Sequence, residues 1–208
     1  MAVIRFQYTK GERLKYIAHL DTLRTFIRAL RRAKLPIAYS QGFNPHPIIS
    51  FLMPLSLGFT SNCEMVDIGF AEEISCEEAA KRLDTALPPG FDVTGAAPPV
   101  HKPAEITQAE YSVTFRGQTP SDQQIEAFFG QQELIVDKKS KRGVKQVDIM
   151  PMIHSYAYRQ NVLTLRLSAG SEQNLNPELV MTHFCQGSAP WDYQICREHI
   201  YCGSQLFS

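Results

Sequence analysis

Cysteine is scarce and unevenly placed in this chain of 208 residues: five thiols, at 63, 76, 185, 196 and 202, with no Cys-x-x-Cys pair. An odd number at irregular gaps excludes a disulfide framework and fits reduced thiols in a cytoplasm. The three-thiolate spacing of an iron–sulfur site is absent, and no histidine pair accompanies Cys196 and Cys202, so neither a cluster nor a structural zinc is expected. Glycine-rich phosphate loops of the Walker type and dinucleotide fingerprints are missing too. The reading is therefore of a chain with no metal and no cofactor of its own. Long apolar runs are also lacking. The longest candidate, residues 48–59, is broken by Pro54 and falls short of the roughly 20 residues a membrane span needs. Charges interrupt the first ten residues where a secretory signal needs an apolar run. A cytoplasmic, soluble protein without a membrane partner is the expectation. There is one tryptophan, Trp191, which reads as an edge or cap of the core.

Net charge is absent as well, but the zero hides a segregation. Residues 1–60 carry nine Lys/Arg against two Asp/Glu, residues 61–110 carry three against ten, and residues 111–208 carry nine of each. A local basic excess attracts a polyanion even when the whole molecule is neutral. The excess surrounds one unusual stretch, Tyr39 to Leu57. That stretch opens as a polar loop holding Gly42, Pro45 and Pro47 and then turns apolar.

The periodicity predicts a strand over 2–8, a turn at Lys10-Gly11-Glu12, and a helix from His19 to Lys34 with Leu20, Leu23, Ile27 and Leu30 inward. Strands over 48–57 and 64–70 follow, joined by a turn at 58–63. Ser75 and Glu78 have capping-box spacing and open a helix that Pro88-Pro89-Gly90 ends. A strand over 91–96 completes the order β-α-β-β-α-β. That is the split βαβ order of a ferredoxin-like sandwich, an α+β fold. Three prolines in Pro98-Pro99-Val100-His101-Lys102-Pro103 mark a linker. The expected organisation is an N-terminal domain over 1–97, a linker over 98–104 and a second ferredoxin-like domain over 105–208. In the second, strands are expected at 111–115 and 162–167, a hairpin or strands at 134–137 and 145–150, helices at 121–129 and 177–184, and a last strand at 193–201. Asp67 and Asp148 read as lying on solvated strand faces.

The candidate site residues follow from these elements. Arg24, Arg28 and Arg31 repeat at four and three along the first helix, with Arg32 beside them. Guanidinium groups take phosphates, so RNA is the expected partner; a merely solvated helix face explains the same stripe. Ser40, Gln41, Gly42, Asn44 and His46 offer donors and acceptors along the loop, and Phe43 offers a stacking surface. The alternative is a tight crossover whose side chains satisfy their own backbone. Lys139, Lys141 and Arg142 form a second basic segment around Gly143, a further contact or a soluble loop tip. His19 and His46 flank the basic helix and have the pKa range for acid–base work on a ribose-phosphate linkage, provided they meet.

The run His19-Leu20-Asp21-x-x-Arg24, then Arg28-Ala-Leu-Arg-Arg32, Tyr39-Ser-Gln-Gly-Phe-Asn-Pro-His-Pro47, Ser50-Phe51, Pro54-Leu55 and Leu57-Gly58 resembles the radical-SAM-linked (radical-SAM-associated) domain family, bacterial and of unknown function. The match covers residues 1–100, with Val147-Asp148-Ile149-x-Pro151 the best piece beyond. It departs from the family pattern at Ala18, where a small hydroxyl residue is usual, and at Leu52-Met53. The resemblance implies a separate radical-SAM enzyme as partner, not binding of S-adenosylmethionine by this chain. A looser likeness, of fold only, is to the CRISPR repeat-processing endoribonucleases, whose motifs are not matched here. The expectation is a non-catalytic RNA-binding accessory module serving an RNA-modifying enzyme. The alternatives are a protein-docking module without nucleic acid, and an endoribonuclease.

Overall fold

The structure, a computed structural model, describes residues 2–140, 143–186 and 191–208. The chain is α+β and divides into two compact units, one running to Pro103 and including Ser208, the other Ala104–Phe207. Each is built on its own.

The first unit contains β1 (Ala2–Lys10), α1 (His19–Arg32), β2 (Ile49–Leu52), β3 (Thr60–Phe70), α2 (Cys76–Ala86) and β4 (Phe91–Ala97). Its strands stand in the order β4-β1-β3-β2, with every neighbouring pair antiparallel. β3 therefore lies between β1 and β2, the two strands that α1 connects. Ile4, Phe6 and Tyr8 alternate inward from β1 and meet Val66, Ile68 and Phe70 of β3. Beneath α1 the rings of Tyr8 and Phe51 stand 4.8 and 5.1 Å from that of Phe26, and Phe91 stands 5.5 Å from it.

Several boundaries differ from the sequence reading. β1 continues through Lys10, which is buried and donates Nζ–H to Ile17 O at 2.9 Å instead of turning. β2 stops at Leu52, because Met53 sits at φ +47° and Pro54 has no amide to pair. β3 begins at Thr60, so most of the expected turn over 58–63 is strand. The buried face of α1 is Thr22, Phe26, Ala29 and Leu30, while Leu20 is 61% exposed. The helix has rotated to put Phe26 inward, since a ring has more apolar area to bury than a leucine. Asp67 is not on a solvated face; it forms a two-pronged ion pair with Arg5 across β1 and β3. At the linker, Pro103–Glu105 makes one 3₁₀ turn.

The second unit contains β5 (Gln108–Arg116), α3 (Asp122–Phe129), β6 (Ile135–Ser140), β7 (Gly143–Asp148), β8 (Ile153–Arg159), β9 (Val162–Ser168), α4 (Pro177–Phe184), β10 (Asp192–Cys202) and the short β11 (Gln205–Leu206). Its sheet runs β10-β5-β9-β8, again antiparallel throughout, with β11 paired to β10. β6 and β7 form a separate hairpin between α3 and β8. Without that hairpin the unit repeats the order of the first, with β9 between β5 and β8. β8 is an edge strand the sequence reading passed over. Asp148 turns its carboxylate inward, accepting from the amides of Leu134 at 2.9 Å and Met150 at 3.0 Å, and so ties the base of the hairpin. Ser121 and Gln124 close a reciprocal capping box on α3, and Pro177 takes the first turn of α4.

Candidate functional site

α1 carries the stripe. Arg24, Arg28 and Arg31 lie on the side of the helix opposite Thr22, Phe26 and Ala29, so their side chains leave the core entirely. Their surroundings differ. Arg24 donates Nη1–H to Asp21 at 2.9 Å in an exposed pair one turn away. The side chains of Arg28 and Arg31 make no hydrogen bond or ion pair among the described residues and stand open to solvent. Arg32 is turned sideways and gives Nη2–H to Ala86 O, 2.7 Å away, closing the C-terminal end of α2.

That end is mirrored by α1. Arg82 of α2 donates Nε–H and Nη2–H to Ala33 O at 3.0 and 2.7 Å, and Nη2–H to Lys34 O at 2.5 Å. Lys34 takes φ +51°, with Leu35 N–H bonded to Leu30 O and Lys34 N–H to Arg31 O, the Schellman ending of a helix. Each helix thus has its unsatisfied final carbonyls covered by an arginine of the other.

The loop over 39–47 is pinched at its base. Tyr39 and Pro47 form a bridge, Ser40 N–H donates to His46 O at 2.9 Å, and His46 N–H donates to Ser40 Oγ at 3.1 Å. Ser40 Oγ and His46 Nδ1 share a further bond of 2.9 Å. Gly42 holds φ +128°, a backbone setting that a side chain rarely adopts, and nothing lies within 4 Å of where its Cβ would be. With the neck closed and the tip bent there, Phe43 projects its whole ring into solvent; Gln41 and Asn44 are exposed beside it.

Among the described residues no hydrogen bond or ring contact joins this loop to the arginine stripe. The histidines are likewise separate: His46 belongs to the loop neck, whereas His19 meets the edge of the Phe51 ring at 5.5 Å. His19 also lines a narrow hollow with Lys10, Thr22, Pro54 and Glu64. Lys10 and Glu64, both buried, were not readable as site residues, because only the β1–β3 pairing carries them inward. Lys141 and Arg142 lie outside the described residues, as does the side chain of Lys139, whose backbone pairs with Val144 in the β6–β7 hairpin. No group of three or more His, Cys, Asp and Glu among the described residues is placed to hold a metal ion. No helix is long and apolar enough to cross a membrane.

A family model described as "Uncharacterized protein conserved in bacteria (DUF2344)" matches residues 4–177, which takes in the stripe, the loop and the second basic segment. The chain belongs to this family. No curated protein matches it. Among solved structures, the DUF2344 chain is similar to one described as an unknown protein from Galdieria sulphuraria. The likeness is 11% identity over 94% of this chain and 98% of that one, with a TM-score of 0.29, too distant to bear on fold or chemistry.

Proposed function

We propose that this DUF2344 protein is an RNA-binding accessory module with no chemistry of its own, built from two ferredoxin-like units and acting beside a radical-SAM enzyme. The shared strand order of the two units supports the ferredoxin-like reading. The observation that carries the RNA reading is the outward face of α1, where Arg28 and Arg31 stand without an acidic partner among the described residues. Cations left open on a rigid helix suit a phosphate backbone, which they grip with little regard to sequence. An endoribonuclease finds no comparable support, since His19 and His46 keep separate partners.

A salt titration of single-stranded RNA binding by filter retention tests the reading. Each phosphate neutralised contributes about 0.7 to the slope of log affinity against log salt. Replacing Arg24, Arg28 and Arg31 together by alanine is expected to lower that slope by about 1.4, since Arg24 already faces Asp21, and to weaken binding at every salt concentration. Unchanged affinity in the triple variant removes the proposal. The exposed ring of Phe43 on its pinched loop favours a second reading, docking of the partner enzyme through an aromatic anchor. Co-purification with a radical-SAM enzyme that survives nuclease and high salt supports that reading.

A further inference from the structure

We infer that the RNA backbone is seated in the cleft between the C-terminal ends of α1 and α2, and that Lys81, outside the basic stretch of the sequence, is its principal contact there. The inference rests on the RNA-binding reading and gives it a seat. The cleft has a volume of about 470 Å³ and is lined by Arg32, Ala33, Lys81, Arg82, Thr85 and Ala86. Two alanines make an apolar floor for a sugar, and three cations form the walls.

The cations divide by function. Arg32 spends one of its five donors on Ala86 O, which fixes the guanidinium and leaves the rest for a ligand. Arg82 is almost fully used: its donors go to Ala33 O, Lys34 O and the Glu78 carboxylate, 3.2 Å away. Its role is to hold the wall in place and to offset the negative helix ends, each worth about half a charge. Arg32, in the last turn of α1, has the same dipole reason to be basic. Lys81 has none. It lies more than a turn before the end of α2, where the dipole effect has faded, and its exposed ammonium has no acceptor among the described residues. An open ammonium beside a guanidinium already held in place is a phosphate-binding pair.

The experiment is a fluorescence anisotropy titration of labelled single-stranded RNA at several salt concentrations, using the full chain and its Lys81→Ala, Lys81→Glu, Arg28→Ala and Arg13→Glu variants. Lys81→Ala is expected to lower the salt slope by about 0.7, as the loss of one phosphate contact does. Lys81→Glu is expected to weaken binding further, and more than Arg13→Glu, the same charge change outside the cleft. The thermal melt of Lys81→Ala should match wild type, because the side chain makes no internal bond among the described residues. Wild-type affinity in both Lys81 variants, with Arg28→Ala weakened, overturns the cleft and leaves the RNA reading standing. Loss in Arg13→Glu equal to that in Lys81→Glu also overturns it, since the effect is then of net charge alone. A wild-type chain that binds RNA without salt dependence overturns both.

Discussion

Arg5 is the residue whose replacement says most about how the first unit is held. Its guanidinium is 3% exposed and meets the Asp67 carboxylate edge-on, Nε to Oδ1 at 2.7 Å and Nη2 to Oδ2 at 2.9 Å. The remaining prong, Nη1, donates to His101 O at 2.9 Å and Ser208 O at 2.8 Å. Arg5→Met keeps most of the aliphatic stem and deletes the charge. It strands a carboxylate that is only 17% exposed and takes one donor from each of His101 O and Ser208 O. Removing one member of a buried pair costs about 3–5 kcal/mol. Water reaches Asp67 in part, which places the cost near the lower bound, about 3 kcal/mol. Against a total stability of about 5–15 kcal/mol that is a large fraction. With a urea dependence of about 2 kcal/mol per molar, the midpoint should fall by about 1–2 M in circular dichroism. Asp67→Leu alone should cost at least as much, because it leaves the cation buried. The double variant Arg5→Met/Asp67→Leu should recover much of the loss, since an apolar pair carries no desolvation penalty. Single variants costing under about 1 kcal/mol, or a double as poor as the two singles added, would refute the argument.

Tyr193 titrates far above its ordinary range, first because it is partly buried and second because Glu178, 3.2 Å from its hydroxyl, opposes a nearby anion. Burial pushes the Cys185 thiol up as well, again with Glu178 adding to the effect. Both groups are held in the protonated form, so the stability they contribute is complete below their unfolded pKa values, near 9 for Cys185 and 10 for Tyr193, and is lost as pH rises above them. Melts should therefore show stability falling above about pH 9, and Tyr193→Phe should flatten the part of that fall beyond about pH 10; an unchanged profile in the variant would count against the assignment. Phe43→Ala is expected to leave both the melt and the salt slope of RNA binding untouched, because the ring is exposed and uncharged. If the tip stacks a base, affinity drops by about 1–3 kcal/mol at all salt concentrations; if it anchors a protein, only partner capture is lost.

What could be read from the sequence was mainly what local rules determine. Pro88-Pro89-Gly90 ended α2, Pro177 opened α4, and the alternation over 162–167 gave β9, because each depends on residues a few positions apart. β8 was missed because an edge strand with mostly exposed side chains carries no apolar alternation to read. The inward face of α1 was misplaced for a related reason. Leu20, Leu23, Ile27 and Leu30 repeat at helical spacing as well as Phe26 and its neighbours do, and only the rings of Tyr8, Phe51 and Phe91, from three strands, decide between them. Arg5 and Asp67, sixty-two positions apart, had no local signature at all. The neck of the 39–47 loop was foreseeable in kind, a short polar turn satisfying itself, but not the closure of Ser40 on His46 that leaves Phe43 outside.

The basic run of the sequence also overstates its own supply of charge. Of the five cations between 24 and 34, Arg24 faces Asp21 and Arg32 covers a helix end. Arg28, Arg31 and Lys34 keep charged heads with no partner among the described residues, and three contacts give a salt slope of about 2.1. A single-stranded RNA held with a steeper dependence must therefore draw charge from another element. Lys81 is well suited to supply it, because the bonds of Arg32 and Arg82 bring the ends of the two helices together. The slope of the wild-type chain thus separates the two pictures before any variant is made: about 2 for the α1 segment alone, and near 3 where α2 takes part.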